Sequence, residues 1–289
     1  MTRLISKQVL KIPATLEDYD RQLKKIIGRN LKELALKAAN GINSATGTEG
    51  SQLNNPAVAL LDPSACPVAV IPITAGQGTI QGFTEAICAI ASHLGFPSFI
   101  TATSDVAGLA EAYHSGAAIA LMADDHLYAA INLETRYVAG NDQATARGYT
   151  TALKLMAGNL AGKEVLLIGA GPLGIEAAKV LLEEGARLII YDLLKEKETA
   201  LIKILNGDLQ QWVASGFSLQ QALALTNLIF DASPGDSFIP VDFLNQDAFI
   251  AAPGLPLGLD DAAVEKFADR LIHDPLQIGT AVMLFQALI

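Results

Sequence analysis

The stretch GKEVLLIGAGPLGIEAAKVLLEEGARLIIYD, residues 162–192, decides the fold. Lys163 to Ile168 is a short, mostly apolar run of the length of a buried strand. Gly169, Gly171 and Gly174 follow with G-x-G-x-x-G spacing, and IEAAKVLLEEG continues as an apolar-faced helix closed by Gly185. The first glycine permits the tight turn, and the second lets backbone approach a pyrophosphate with no Cβ in the way. The third allows close packing of helix on strand beneath a helix N-terminus that attracts negative charge. Gly169, Ala170, Gly171, Pro172, Leu173 and Gly174 are therefore expected to cradle the phosphates of a dinucleotide. The next strand, RLIIYD, ends in Asp192, eighteen residues past Gly174. A carboxylate there accepts both ribose hydroxyls and repels a 2′-phosphate, which favours NAD over NADP.

Outward from this stretch the same alternation continues. LIFDASPGD (228–236) and AFIAAPGLPLG (248–258) read as strands running into small, proline-containing loops. In an open α/β sheet the ligand lies beyond the carboxyl ends of the strands, so Ser233, Pro234, Ala252 and Pro253 are candidates to flank the cofactor, or else are ordinary strand-ending turns. His273, in LIHDPLQIG, is placed with this cofactor group and precedes a C-terminal apolar helix. Upstream, DQATARGYTTALKLMAGNL reads as a connecting helix, preceded by strand runs at CPVAVIPI, SFIT, AIALMAD and YAAINL and by helices over about 79–94 and 105–114. Residues 15–40 carry one or two N-terminal helices, and NGINSATGTEGSQLNNP (40–56) is the most loop-like segment. The expected class is α/β: N-terminal helices and a small α/β substrate domain over 1–150, then a Rossmann-like, doubly wound parallel-sheet NAD-binding domain over 151–289. The C-terminal helix is able to pack back on the first domain.

Composition bounds what such a chain does. With 51% hydrophobic and 17% charged residues it is globular, and a formal charge of -10 argues against nucleic-acid binding, which needs clustered Lys and Arg. An acidic surface tolerates cationic small molecules. Cys66 and Cys88 form neither a metal-spaced pair nor a disulfide framework, and both are expected to be buried in a protein of the reducing cytoplasm. The N-terminus reaches Pro13 and then acids before any long apolar run, so neither a signal peptide nor a membrane span is read there. No metal site is expected.

The substrate half is marked by its acids. From Ala38 through Leu153 there is no lysine, while Asp105, Asp124, Asp125 and Asp142 fall near strand or loop ends. Folate-linked and shikimate-type dehydrogenases share the order of substrate domain before nucleotide domain, but use a catalytic lysine in the first. Carboxylates near a cofactor suit instead a substrate carrying ammonium groups, which they hold and from which they accept a proton. An amine is the leading candidate for oxidation. Asp105 reads equally as a helix N-cap. Asp124 and Asp125, directly after AIALMA, are better placed for chemistry, and His126 beside them is a candidate substrate contact. His93 and His114 read as packing or helix C-terminal partners.

Together PITAGQGTIQGF, AIASHLGF, SDVAGLAEA, MADD, NDQATARGY, GAGPLG, AAPGLPLGL and HDPLQIG resemble the PylD family of pyrrolysine synthases, in the expected order from about Pro67 to the C-terminus. The resemblance implies NAD-dependent oxidation of the terminal amine in the 3-methyl-D-ornithine part of a lysine isopeptide. The imine or aldehyde formed is attacked by the ornithine α-amine, and loss of ammonia or water closes the pyrroline ring. Matching motif positions implies Asp124 and Asn141 as the principal catalytic contacts, with Asp105 beside them. Asp125, Ala75 and the backbone of Gly76 and Gln77 are implied on the substrate, with Ala75 offering no side-chain hydroxyl. Leu4 and Lys7 lie on an N-terminal helix that either covers a cleft between the two domains or is a solvated tail. A homodimer is compatible with this reading. Two alternatives stand beside it: another NAD-dependent amino-acid or cyclic-imine dehydrogenase, and a catalytically inactive nucleotide-sensing protein.

Overall fold

The structure is a computed structural model that describes residues 15–40, 62–76, 78, 80–205 and 213–288. The expectations placed on Leu4, Lys7, Gln77 and the segment 41–56 lie outside these residues. The chain divides into two compact units, one of Met1–Arg21, Asn30–Gly148 and Pro275–Ile289, the other of Gln22–Arg29 and Tyr149–Asp274. The division thus falls at Gly148 and Tyr149 rather than after residue 150, and two short segments lie with the other unit than a single cut would give.

The N-terminal helices are α1 (Leu16–Ile27) and α2 (Leu31–Asn40), the latter burying Leu31, Leu34, Ala35, Ala38 and Ala39. The first unit carries β1 (Val68–Val70), α3 (Phe83–His93), β2 (Ser98–Ile100), α4 (Asp105–His114), β3 (Ile119–Ala123), β4 (Tyr128–Asn132) and β5 (Val138–Gly140). Its sheet runs in the order β2-β1-β3-β4-β5. β1, β2 and β3 are parallel, joined through α3 and α4, because parallel neighbours need a crossover of a dozen or more residues. Asp124–Leu127 is too short for that, so β4 returns antiparallel, and β5 follows in the same way. The sequence reading missed β5, whose three residues are too few for a period to register.

The connecting helix α5 (Asn141–Ala157) runs from the first unit into the second, and the chain returns to the first as α10 (Gln277–Leu288) after the elements α6 to α9 named below. Residues Gln277 to Ala287 are all buried, and α10 packs on α2, α3, β4 and β5. A helix without a polar face has to be enclosed in this way. Glycines allow its approach to α5. A Cβ on Gly148 would stand 2.3 Å from Ile278, and one on Gly279 would stand 2.5 Å from the Thr145 hydroxyl and 2.6 Å from the Asn141 amide oxygen.

The second unit holds β6 (Glu164–Ile168), α6 (Pro172–Glu183), β7 (Arg187–Tyr191), α7 (Lys195–Ile204), β8 (Val213–Ala214), α8 (Leu219–Leu225), β9 (Leu228–Asp231), β10 (Phe249–Ala251), α9 (Asp261–Lys266) and β11 (Leu271–Ile272). All six strands are parallel, in the order β11-β10-β9-β6-β7-β8. The order reverses between β6 and β9, and such a switch point opens a crevice at the carboxyl ends of those two strands. One buried apolar cluster of this unit includes Leu166, Ile168, Ile189, Ile229, Ile250 and Phe267. Tyr149 and Asp274, where the chain enters and leaves, are bound to each other: the buried Tyr149 hydroxyl accepts the Asp274 N–H and donates to its carbonyl, both at 2.8 Å.

Three local readings are corrected. Cys66 and Cys88 are free thiols that are half-buried rather than buried. Asp105 is not an N-cap: Ser104 holds that position, and Asp105 is the first residue of α4 with φ at 54°. His93 does more than end its helix, since its Nε2 lies 2.9 Å from Asp20 Oδ2. Among the described residues no helix is long and apolar enough to cross a membrane, and no group of three or more His, Cys, Asp or Glu is placed to hold a metal ion.

Candidate functional site

The glycine-rich loop sits at the switch point. Its glycines are required for different reasons. Gly169 has φ at 94°, and a Cβ there would press on the Ala232 and Ser233 backbone at 3.0 Å. A Cβ on Gly174 would lie 2.0 Å from the Gly169 carbonyl oxygen, inside the loop itself. A Cβ on Gly171, by contrast, would meet no described atom within 4 Å beyond its chain neighbours. The fold does not need a glycine there, and the open space is what a pyrophosphate would fill. Behind it α6 begins at Pro172 with no side chain capping its first turn, so the N–H groups of Leu173 and Gly174 have no intrahelical partner and suit an anion.

Asp192 follows β7 and holds the loop from the other side. Its Oδ2 accepts the Ala170 N–H and its Oδ1 the Leu194 N–H, each at 2.8 Å. Each oxygen keeps a further acceptor position, so the carboxylate is fixed in place and still able to take two hydroxyls. Leu193 and Leu194, which come next, are exposed and carry no charge. Lys195 binds Glu198 at 2.7 Å and the Phe217 carbonyl. These residues fit a dinucleotide with two free ribose hydroxyls.

The loops after β9 and β10 close the other half. Ser233 is half-buried and Pro234 exposed, whereas Ala252 and Pro253 are buried and act by placing backbone. The His273 ring Nδ1 lies 2.6 Å from the Ala252 carbonyl oxygen. A hydrogen bond to a carbonyl requires the proton on Nδ1. Sequence reasoning missed Asp231. It ends β9 with its side chain fully buried, and its Oδ1 accepts the Ser233 N–H at 3.0 Å and the Ser233 hydroxyl at 2.6 Å. Burial pushes this carboxyl up to about 6, against the effect of the Ser233 bonds. The signal was an acid directly after the apolar run LIF.

In the first unit the acids gather at one sheet edge, the carboxyl ends of β1, β2 and β3. Asp105 reaches from the loop after β2 to the loop after β1, accepting the Thr74 N–H at 2.8 Å and the Thr74 hydroxyl. Ser104 adds a further donor, and these bonds, the Thr74 hydroxyl first, hold the carboxyl below its ordinary value. Asp124 closes the β3–β4 turn: its Oδ1 accepts the N–H groups of His126 at 2.7 Å and Leu127 at 2.8 Å, which lower its pKa in that order. Asp125 lies against Gly76, where a Cβ would overlap its carboxylate at 2.2 Å. The exposed Asp125 side chain could move aside, and it is φ at 68° that favours glycine at 76. Ala75 is exposed beside it, and so is His126 beyond Asp125. Asn141 joins the same edge, because β4 pairs Ala129 with Gly140 and so sets Asn141 next to the end of the hairpin. Its amide oxygen accepts from the Thr145 hydroxyl at 3.2 Å.

Residues 9–139 match the family model described as "Pyrrolysine biosynthesis protein PylD, N-terminal domain". The pyrrolysine synthase of Methanosarcina acetivorans is 34% identical over 222 residues, covering 76% of this chain and 82% of that protein. That of Methanosarcina barkeri is 33% identical over 225 residues, covering 76% and 81%. Among solved structures, quinate dehydrogenase from Corynebacterium glutamicum in complex with NAD has a TM-score of 0.52 at 14% identity, over 77% of this chain and 93% of that one. Shikimate dehydrogenase from Aquifex aeolicus gives 0.50 at 16% identity, over 77% and 89%. At such identities the two structures speak for the fold alone, while the two Methanosarcina relatives carry the assignment: the chain belongs to the PylD family of pyrrolysine synthases.

Proposed function

We propose that the protein is an NAD-dependent amine dehydrogenase of pyrrolysine biosynthesis, oxidising the terminal amine of the 3-methyl-D-ornithine part of a lysine isopeptide. The reading rests on membership of the PylD family, and the observation that carries its cofactor half is the Asp192 carboxylate, bonded to Ala170 and Leu194 with acceptor positions to spare. The first-turn N–H groups of α6 would hold the pyrophosphate and Asp192 the adenosine ribose, and Leu193 and Leu194 offer no cation for a 2′-phosphate. When bound, NAD supplies the acceptor for a hydride from the amine-bearing carbon.

The rest of the chemistry falls to the chain's own side chains. Asp105 and Asp124 are kept ionised by the N–H and hydroxyl groups they accept, so they attract an ammonium group and orient its carbon. The amine must lose a proton before its carbon gives up a hydride, and Asp124, the exposed member of the pair, is the proposed acceptor. Its lowered pKa makes it a weak base that passes the proton on readily. Asn141 presents an amide whose oxygen is oriented by Thr145. Hydride loss leaves an iminium carbon, the ornithine α-amine adds to it, and departure of ammonia closes the ring. If water adds first, ammonia leaves to give the aldehyde, which then condenses with the α-amine and loses water. With no lysine between Ala38 and Leu153, a lysine-assisted route has no side chain in that span.

The test is a mass spectrum after incubation with NAD and the lysine isopeptide. A product lighter than the substrate by the elements of ammonia and dihydrogen, formed with one NADH per turnover, is expected. NADH formed from other amino acids but not from the isopeptide would replace the substrate assignment.

A further inference from the structure

Asp231 and Ser233 form a pair that the reading above leaves without a task. β9 lies beside β6, with Asp231 in register with Ile168, the residue before the glycine-rich loop. It is therefore at the switch point, on the side opposite Asp192. Its surroundings are shaped to receive it. Gly254 donates its N–H to the Asp231 carbonyl at 2.9 Å, and a Cβ there would lie 2.1 Å from the Ser233 carbonyl oxygen. A Cβ on Gly258 would stand 2.3 Å from Asp231 Oδ2. Oδ2 is buried and, among the described residues, makes no hydrogen bond.

Among the described residues no charged side chain acts on this carboxyl; the groups that do are the Ser233 N–H and hydroxyl and the Gly258 backbone. The ionisable neighbours in the flanking loops are turned to other tasks, Asp236 to the Ser237 hydroxyl at 3.0 Å and His273 to Ala252. A buried carboxylate is an unfavourable way to close a turn that a neutral side chain closes as well. What an acid does better is to fix a hydroxyl rotor. With the Ser233 proton committed to Asp231, the hydroxyl oxygen has only lone pairs left to offer.

We propose that Asp231 is a positioning residue that fixes the Ser233 hydroxyl as an acceptor for an N–H donor, the carboxamide of the nicotinamide ring. The assignment to that ring follows from the fold: Asp192 ends the second strand of the unit and belongs to the adenosine half, while Ser233 follows the fourth strand, across the switch point. The inference rests on the proposed use of NAD and gives Ser233 a part in recognising it.

The test uses 3-acetylpyridine adenine dinucleotide, in which a methyl group replaces the carboxamide nitrogen. Calorimetric titration of the unaltered protein should show NAD bound roughly threefold to tenfold more tightly than this analogue, the range of one neutral hydrogen bond. Ser233→Ala should abolish the preference, and Ser233→Thr should keep it. Asp231→Ala, which frees the rotor, should reduce the preference, and Asp231→Asn, whose amide oxygen still accepts, should restore it. If Asp231→Ala does not fold, the two Ser233 variants still decide the acceptor. An unchanged NAD-to-analogue ratio in Ser233→Ala overturns the inference while leaving the cofactor intact. Failure of the unaltered protein to bind NAD removes the cofactor reading and the inference together.

Discussion

Asp124 uses one carboxylate oxygen to close its own hairpin, and this decides which substitution is informative. Asparagine keeps an oxygen for the N–H groups of His126 and Leu127, so Asp124→Asn should fold and bind NAD normally. It lacks the charge that holds an ammonium and the basicity to take a proton, and turnover should fall by about a hundredfold or more. Steady-state rates with the isopeptide check this; unchanged turnover would move the role to Asp105 or Asp125. Asp192 is the residue proposed to hold the cofactor. Asp192→Ala should weaken NAD binding by roughly 2–4 kcal/mol and leave NADP affinity unchanged or improved, as read by titration calorimetry. Equal affinity of the unaltered protein for both cofactors would count against the reading. Asp192 was legible because its distance from the glycines is a property of the local strand-loop-helix unit. Asp231 was not, because an acid after an apolar run means little until its strand is known to be central.

At the scale of elements, the glycine-rich loop separates what the fold requires from what a ligand requires. Gly174 is packed against the loop's own backbone, whereas Gly171 faces open space. Gly171→Ala should leave the melting temperature unchanged and weaken NAD binding. Gly174→Ala should lower the melting temperature as well, since a Cβ there costs about 1–3 kcal/mol of overpacking or more. Thermal melts with and without NAD distinguish the two, and a destabilised Gly171→Ala would show that the loop, not a ligand, needs that glycine. The helices of the first unit show the opposite case. Gly148 and Gly279 look like mere propensity costs in their helical runs, yet they are where α5 and α10 meet. Hydrophobic spacing located both helices, but says nothing of which residue of one lies on which residue of the other.

For the molecule as a whole, the buried Asp231 leaves a mark on stability. Its folded value of about 6 is above the 3.8 of an ordinary aspartate, so the folded state holds this proton more tightly than the unfolded one. The resulting stabilisation is complete below the unfolded value and is lost as pH rises through about 6. Between about pH 4.5 and 7.5 the group should withdraw about 2 kcal/mol of unfolding free energy. Asp105, Asp124 and Glu111 are shifted the other way, and their contributions change only at lower pH. Urea denaturation of the wild type and Asp231→Asn across that range should therefore diverge in pH slope, and parallel curves would show that the carboxyl is not raised.

The sequence by itself determined the α/β class, the glycine-rich loop between strand and helix, the acid that follows the next strand and the run of carboxylates in the first half. All of these are written in spacings of a few residues, which the geometry of a helix or strand converts directly into position. The tertiary structure alone decided the order of the strands, and with it the burial of Asp231 beside the loop that begins at Gly169. It also assigned 275–289 to the first unit and joined Asp105 to Thr74 across 31 residues of chain. Contacts of that kind arise from the packing of segments remote in sequence, and no local pattern encodes which remote segment a side chain will meet.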